Sequence, residues 1–141
     1  MSIKFYETPE DRNRERGVAD RLALAWGVKM VQMPEHTWYD FSAMKDGVIM
    51  GYVEIKTRRN AHDDFDTYMI SSLKVQKGLM AVQTLGVKFI LAVQWEDRLR
   101  WLDVAKSEFY LQVGGTTKRN DPRDVEVMAH FKINQFRDVK V

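Results

Sequence analysis

The sequence predicts an α/β fold in which helices flank a mixed central β-sheet. Helical and strand-like segments alternate along the chain, an order that is typical of sheets with helices packed on them. The segment 87–95 is the most strongly apolar of these, as expected of a strand buried on both faces of a sheet. No internal repeat or linker rich in proline, glycine or serine divides the 141 residues. We therefore expect a single domain that spans residues 1–141.

The first predicted helix spans residues 9–26. Thr8 is expected to be its N-cap and Pro9 its first residue, because proline needs no backbone donor at that position. Asp11 is placed to reach back toward the cap, and Gly27 is expected to end the helix. Residues at helical spacing form an apolar stripe that is predicted to pack on the core: Val18, Ala19, Leu22 and Trp26.

The remaining elements follow from alternation, turn residues and caps. Strands are predicted at 28–33, 38–44, 48–56, 87–95, 98–104 and 125–133. A polar loop, 57–67, leads to a second helix that begins at Ser71 or Ser72 and runs to Leu85, where Gly86 stops it. A third helical piece is predicted at about 105–111, and a loop rich in glycine and charge at 114–124.

The composition excludes several classes of protein. The absence of cysteine excludes a disulfide framework, a cysteine nucleophile and a thiolate zinc site. The longest apolar runs are five residues, far short of the roughly 18 that a membrane-spanning helix needs, so no membrane partner is expected. The N-terminus lacks the basic and apolar regions of a secretory signal, which predicts an intracellular protein. The net charge of +2 is too small to indicate nucleic-acid binding on its own.

Strand alternation places a carboxylate and an ammonium side by side on the strand 48–56. Tyr52, Glu54 and Lys56 are expected on one face. The other face carries apolar residues that are predicted to lie in the core: Ile49, Val53 and Ile55. Because residues two apart on a strand are separated by about 7 Å, Glu54 and Lys56 can act on one ligand.

The preceding strand is expected to contribute a second carboxylate, Asp40, provided that the hairpin register is right. Alternation groups Trp38, Asp40 and Ser42 on one face, and Tyr39, Phe41 and Ala43 on the other. A two-residue turn at Asp46-Gly47 would put Asp40 and Glu54 on opposite faces. A three-residue loop, Lys45-Asp46-Gly47, with a left-handed glycine at a bulge would place Asp40 opposite Tyr52 and diagonal to Glu54. We predict the three-residue loop.

Two carboxylates beside a lysine form a site of hard oxygen ligands that suits Mg²⁺ or Mn²⁺. Asp40 and Glu54 are the predicted metal ligands, and the backbone carbonyl of Ile55 is a third candidate. Such a site suits phosphodiester hydrolysis, in which the metal polarises the phosphate and Lys56 holds a water molecule. A pairing of these acids with Lys56 on a solvated sheet face is the alternative, and it would contribute only about 0 to 1 kcal/mol to stability.

These residues resemble the active site of the PD-(D/E)XK nuclease superfamily. The matching residues are Asp40 and Glu54-Ile55-Lys56, within an α-β-β-β-α-β order that covers roughly residues 8–104 and resembles a restriction-endonuclease-like core. Tyr39 stands where the name-giving proline of the superfamily would be. The compact layout is similar to Holliday-junction resolvases and to small phage-type members of the group.

The resemblance implies roles for residues on both helices. A glutamate from the first helix often joins the superfamily site, and Glu15 fits that role at the start of the apolar stripe. The second helix of the superfamily helps to hold the DNA backbone. Here it presents three residues in a row that the resemblance assigns to DNA binding: Ser71, Lys74 and Lys77.

Other polar clusters are candidates for contacts with phosphate or metal. Arg58 and Arg59 follow the proposed site, and Lys118, Arg119 and Arg123 lie in the glycine-containing loop. Both groups are candidates for contacts with phosphates, and the alternative for each is a solvated loop. The three histidines, at positions 36, 62 and 130, have no metal-ligand spacing. The segment 62–66 holds three acids and a histidine, and we interpret it as a loop that caps the second helix.

The sequence therefore predicts a nuclease that depends on Mg²⁺ or Mn²⁺ and cleaves DNA, including branched or junction DNA. Cleavage of both strands by one site in each chain favours a symmetric homodimer. Two other interpretations stay open. One is a catalytically inactive scaffold of the same fold that binds nucleic acid or a protein. The other is a small α/β accessory protein in which the motif is a coincidence.

Overall fold

The computed structural model describes residues 9–34, 37–115 and 125–140. This part of the chain contains two α-helices, which are α1 (Pro9–Trp26) and α2 (Ser72–Leu85). It also contains nine strands: β1 (Lys29–Gln32), β2 (Phe41–Lys45), β3 (Val48–Thr57), β4 (Thr67–Ser71), β5 (Lys88–Gln94), β6 (Leu99–Asp103), β7 (Tyr110–Gly115), β8 (Val125–Lys132) and β9 (Arg137–Asp138). Thr8, the side chain of Asp11, and the predicted phosphate contacts Lys118, Arg119 and Arg123 lie outside what is described.

Six of the strands form a mixed sheet with the order β1-β2-β3-β5-β6-β9. The central pair, β3 and β5, is parallel, and the other neighbours in this sheet are antiparallel. The chain crosses from β3 to β5 through β4 and α2, as a parallel connection requires. A second sheet has the order β4-β8-β7. The predicted mixed sheet flanked by helices is confirmed.

Each face of the central sheet carries its own apolar cluster. On one face the stripe of α1, including Val18 and Leu22, packs against Val53 and Ile55 of β3. The other face is covered by α2 and the three-stranded sheet, and its cluster includes Phe89, Leu91, Val75, Ala129 and Phe131. The strand β5 is therefore buried on both faces, as its apolar sequence predicts. None of the described helices is long and apolar enough to cross a membrane.

Local signals place the ends of both helices correctly. Gly27, with φ of 63°, follows the last residue of α1. Ser71 caps α2 by accepting a hydrogen bond from the backbone of Leu73, and Gly86, with φ of 68°, ends the helix. Positive φ at these glycines costs little because they have no Cβ.

The three-stranded sheet is where the sequence prediction was wrong. The segment predicted as a helix at 105–111 is a short 3₁₀ turn, Val104–Lys106, followed by strand β7. The strand β4 lies between the predicted loop, 57–67, and the predicted start of the second helix at Ser71 or Ser72, where the sequence predicts no strand. Both strands pair with β8, whose residues lie at least ten positions further along the chain, so local propensity does not reveal them.

The hairpin between β2 and β3 also differs from the prediction. Lys45 pairs with Val48, so the turn has two residues, Asp46 and Gly47, both with positive φ (53° and 76°). Positive φ at both central residues is the type I′ geometry that a tight hairpin prefers. The predicted three-residue loop is therefore wrong, although its left-handed Gly47 is present.

A β-bulge in β3 places Asp40 and Glu54 on the same face of the sheet, which is what the predicted three-residue loop would also have done. Met44 pairs with Ile49, but the next pair is Ala43 with Gly51, which leaves Met50 as an extra residue on β3. Beyond the bulge, Phe41 pairs with Val53, and one step further along this register Asp40 is level with Glu54. Asp40 is thus not opposite Tyr52, whose partner is Ser42. The extra residue reverses the faces that a two-residue turn alone would impose.

Two helical glycines give opposite predictions for alanine substitution. A Cβ on Gly78 would lie 2.1 Å from Cδ2 of Phe89, whereas a Cβ on Gly17 would meet no atom within 4 Å. We expect Gly78→Ala to lower the free energy of unfolding by about 1–3 kcal/mol through overpacking. Gly17→Ala should raise it by about 0.5–1 kcal/mol, because alanine favours the helix. Urea unfolding measures both, and equal effects would contradict the close packing of α2 on β5.

Candidate metal and catalytic site

Glu54 is the centre of a buried charged cluster on the α2 side of the central sheet. Its side chain is 0% exposed, although it is a carboxylate. The Oε2 atom accepts a hydrogen bond from Nζ of Lys74 at 2.5 Å and forms an ion pair with Nζ of Lys56 at 3.1 Å. Lys56 extends from β3 two residues after Glu54, as predicted, and Lys74 comes from α2. Two cations thus compensate the charge on one oxygen of the buried carboxylate.

Asp40 joins this cluster from the segment that precedes β2. Its backbone N–H donates to the carbonyl of Val53 at 3.2 Å, which ties the segment to β3. Its Oδ2 accepts a hydrogen bond from the backbone N–H of Ile55 at 2.8 Å. Because Ile55 separates Glu54 from Lys56, this bond holds the carboxylate of Asp40 beside both residues.

The position of Asp40 depends on an aromatic stack that alternation did not predict. Tyr39 was expected to share a face with Phe41, but residues 37–40 form a bend rather than a strand, so the two-residue period does not apply there. Phe41 packs on the α1 side, whereas Tyr39 packs on the α2 side and stacks on Tyr52 with ring centroids 3.7 Å apart. The stack fixes the backbone next to Asp40.

The charges in the cluster shift one another's pKa values. Burial, together with the negative charge of Glu54, raises the pKa of Asp40 to about 7. Burial also acts to raise the pKa of Glu54, but the charges of Lys56 and Lys74 outweigh it and hold that pKa below its ordinary value. The carboxylate of Glu54 in turn raises the pKa of Lys56 well above its usual range. The cluster therefore favours the ionised form of Glu54 and the protonated form of Asp40, relative to the same groups in water.

One atom of the cluster fits a metal ion. The second carboxylate oxygen of Glu54, Oε1, is buried and has no hydrogen-bond partner among the residues that the structure describes. A buried ionised oxygen without a partner is costly. A hard divalent cation could be bound by this oxygen together with the carboxylate of the nearby Asp40, and it would give the oxygen the partner that it lacks. The donor set therefore fits a hard divalent cation such as Mg²⁺ or Mn²⁺, and the assignment of Asp40 and Glu54 as metal ligands stays a prediction.

The structure places the three residues assigned to DNA binding on α2 in different surroundings. Lys74 contacts Glu54, as described above. The hydroxyl of Ser71 caps the helix and donates a hydrogen bond to Oε2 of Glu126 at 3.0 Å. Nζ of Lys77 lies 5.2 Å from the ring centroid of Trp38 on the surface. Lys74 thus belongs to the charged cluster, and contacts of Ser71 and Lys77 with DNA remain predictions.

For the metal-dependent nuclease that the sequence predicts, Lys74→Met is expected to lower the rate of DNA cleavage at least about tenfold, because it removes one charge-assisted hydrogen bond of about 1.5–3 kcal/mol from Glu54. Methionine keeps the length and apolar stem of the lysine. Single-turnover cleavage at saturating DNA measures the effect. Lys88→Met is the matched control. Lys88 is an exposed lysine at the start of β5, away from the charged cluster, and its replacement should not change the rate. Equal rates for all three proteins would contradict a role for Lys74 in the cluster.

The structure does not test the predicted roles of two further site residues, Glu15 and Ile55. Glu15 is only 8% exposed on α1, the helix that packs on the opposite face of β3 from Glu54. The largest electrostatic influences on Asp40 come from Glu54, Lys56 and Lys74. The backbone N–H of Ile55 contacts Asp40, whereas a role of its carbonyl as a metal ligand is untested.

Tyr68 is a buried residue of the site that the sequence analysis did not identify. Its hydroxyl is buried and has no hydrogen-bond partner among the described residues. Burial raises the pKa of Tyr68, and the nearby charges of Arg58, Lys56 and Glu54 also act on it. The guanidinium of Arg58 lies 5.3 Å from the centroid of its ring. Tyr68 belongs to β4, a strand that local sequence did not predict, so no signal pointed to it.

A second group of potential ligands lies away from this cluster. Ligand atoms of His62, Asp63 and Asp97 are within 4.8 Å of one another. Asp97 already accepts two hydrogen bonds from His62, one from the backbone at 2.9 Å and one at Nδ1 at 2.6 Å. These bonds fasten the segment after β3 to the turn after β5, which explains the cluster without a metal. His130 lies in β8, where its ring contacts Thr67 and stacks on Tyr110.

Comparison with known proteins identifies the fold and the family of the chain. The chain resembles Hjc, a Holliday junction resolvase from the archaeal hyperthermophile Archaeoglobus fulgidus, with a TM-score of 0.62 and 13% sequence identity. The similarity covers 92% of each chain and shows that the two share a fold. A search of curated proteins gave no match. The family described as "Phage putative PDDEXK endonuclease" matches residues 1–139, nearly the entire chain. The chain therefore belongs to this phage PDDEXK endonuclease family.

Proposed function

We propose that this protein is a divalent-metal-dependent endonuclease that hydrolyses phosphodiester bonds in DNA, with residues 1–141 as a single nuclease domain. One observation carries the proposal. Glu54 is fully buried, two lysines hold one of its oxygens, and the other oxygen lacks a partner among the described residues. A carboxylate arranged in this way beside Asp40 is suited to hold a cation next to an amine.

The residues of the cluster would have different roles in phosphodiester hydrolysis. Asp40 and Glu54 would hold Mg²⁺ or Mn²⁺, with the carbonyl of Ile55 as a further candidate ligand. When bound, the ion supplies Lewis-acid polarisation of the phosphate and acidifies a water molecule. Lys56 would orient that water and offset the charge that develops on the phosphate oxygens. Glu15, at the buried face of α1, would support a second ion or a bridging water.

The substrate would be held by basic and polar residues around the cluster. Those proposed to contact phosphates are Arg58, Arg59, Ser71, Lys77, Lys118 and Arg119, and Lys74 would also face the phosphate through its place beside Glu54. The fold shared with a Holliday junction resolvase makes branched DNA the first substrate to test. A homodimer would supply one site for each strand to be cut.

A cleavage panel tests the proposed function. Linear duplex, single-stranded, flap and four-way junction DNAs are incubated with the protein in Mg²⁺, Mn²⁺ or EDTA. We expect cleavage of at least one DNA with metal and none in EDTA. Lys56→Ala should remove the activity, while Lys88→Ala, a surface lysine at the far end of β5, should retain it. Activity that persists in EDTA, or in Lys56→Ala, would contradict the proposal.

A catalytically inactive scaffold is the second candidate, and the lysine pair on Glu54 favours it. Lys56 and Lys74 already compensate the carboxylate, so a protein that only binds DNA or a protein partner would keep this arrangement without a metal. Isothermal titration with Mn²⁺ separates the two. A nuclease should bind the ion through Asp40 and Glu54, whereas a scaffold need not bind it.

A further inference from the structure

A basic cleft opens on the α1 side of the central sheet, on the opposite face from Glu54. It has a volume of about 760 Å³ and lies between α1, the end of β3, and the end of β5 with the turn that follows it. Four of its ten lining residues are arginines, whereas Glu96 is the single acid. The arginines are Arg14, Arg21, Arg58 and Arg59. The cleft therefore carries a net positive charge and suits an anionic ligand.

The helix α1 is shaped to present its two arginines to this cleft. Arg14 and Arg21 are seven residues apart, which places them on the same helical face two turns from each other. Gly17 lies between them and lines the cleft, and a Cβ there would meet only open space. Arg21 donates a hydrogen bond to the side-chain oxygen of Gln94, which directs it toward the end of β5. The glycine thus leaves room between two guanidinium groups.

The cleft begins where the catalytic cluster ends. Thr57 and Gln94 form the last pair of the parallel strands β3 and β5, and both line the cleft. Thr57 directly follows Lys56, but alternation turns its side chain to the α1 face. Arg58 connects the two regions, since it lines the cleft while its guanidinium lies over the ring of Tyr68. Ligands of open α/β sheets bind at such carboxyl ends of parallel strands.

We propose that this cleft binds the phosphates of a single DNA strand that leaves the catalytic cluster over the edge of β3 and β5. The inference rests on the proposed nuclease function and extends it. A volume of about 760 Å³ is that of a cleft for a small ligand, which fits a few nucleotides of one strand rather than both strands of a duplex. Trp95 in the wall is only 2% exposed, so the bases have no ring to stack on. Recognition is therefore of the backbone and independent of sequence.

Fluorescence anisotropy of the full chain in EDTA, where metal-dependent cleavage is blocked, tests this proposal. The probes are a labelled dT12 strand and a labelled 12-base-pair duplex, at 50 to 200 mM NaCl. We expect Arg14→Gln/Arg21→Gln to weaken dT12 binding at least about tenfold at 50 mM NaCl and to reduce the salt slope by about 1.4, the loss of two single-strand phosphate contacts. Duplex binding should change less than about twofold. Thermal unfolding checks that the variant is folded.

A charge-matched variant separates local contacts from net charge. Lys29→Gln/Lys88→Gln removes two positive charges from exposed positions on β1 and at the start of β5, away from the cleft, and should leave dT12 binding within about twofold. Equal losses in both double variants would overturn the proposal, as would equal losses for dT12 and duplex. Displacement of dT12 by millimolar inorganic phosphate would instead identify a site for small anions and overturn it too.

A failure of the proposal about the cleft can be distinguished from a failure of the proposed nuclease function. Cleavage by the wild type and by Glu54→Gln is measured on the same junction and linear DNAs. If Glu54→Gln loses cleavage but the arginine variant binds dT12 normally, the inference about the cleft alone is wrong. If Glu54→Gln cleaves as the wild type does, the proposed function is wrong, whatever the binding data show.

Discussion

Glu54→Gln is expected to lower the rate of metal-dependent DNA cleavage by at least about 10³-fold. Glutamine has the same shape but no negative charge, so it cannot pair with a cation or compensate the two lysines. The unpartnered Oε1 of Glu54 is the atom best suited to a metal among the described residues, and its charge is lost in the variant. Single-turnover cleavage with Mg²⁺ measures the rate, and isothermal titration with Mn²⁺ should show that ion binding is lost.

The matched control is Glu108→Gln, an exposed glutamate outside the site, which should cleave at the wild-type rate. Glu54→Gln also removes the carboxylate that pairs with both Lys56 and Lys74 and leaves Asp40 as the nearby acid, so its unfolding midpoint in urea should fall. Far-UV circular dichroism must show a folded variant before its activity is interpreted. A folded Glu54→Gln protein that cleaves within tenfold of the wild type would remove Glu54 from the mechanism.

Asp40→Asn is expected to stabilise the metal-free protein at pH 8 by on the order of 4 kcal/mol. Burial and the charge of Glu54 raise the pKa of Asp40 to about 7, from an ordinary value of 3.8. The folded state therefore favours protonated Asp40, and the stability from this residue is complete below about pH 4. It declines as the pH rises toward 7 and is lost above that pH. Asparagine stays neutral and escapes this decline.

Urea unfolding in EDTA at pH 4 and pH 8 measures the effect, which should be present at pH 8 and absent at pH 4. Mn²⁺ at pH 8 should then stabilise the wild type but not Asp40→Asn, because the proposed site uses Asp40 to bind the ion in the folded state. Asp46→Asn in the exposed turn is the control and should change stability by less than about 0.5 kcal/mol. A gain that is equal at both pH values would contradict the raised pKa of Asp40.

The parts of the fold that sequence predicted depend on local chemistry. Capping by Ser71 and the left-handed Gly27 and Gly86 mark the ends of α1 and α2 through contacts within a few residues. The motif residues Glu54 and Lys56 are two apart on one strand, so their shared face follows from the strand period. These features need no knowledge of distant residues.

The parts that sequence missed depend on contacts between distant segments. The strands β4 and β7 exist because β8 pairs with both of them. Tyr68 enters the site only through β4, and Lys74 reaches Glu54 only because α2 packs across the sheet. The bulge at Met50 has no local signature, although it decides which face Asp40 occupies. Tertiary pairing therefore determined these features more than propensity did.

The bulge has a consequence for how this hairpin tolerates change. The side chain of Met50 is exposed, so many residue types can replace it without disturbing the interior. Its backbone, however, adds one unpaired residue to β3, and this extra residue brings Asp40 and Glu54 to the same face of neighbouring strands. Between Gly47 and Glu54 the spacing is thus constrained while the identity at position 50 is free. Related proteins should vary there by substitution, and a lone deletion should be rare unless the turn lengthens to compensate.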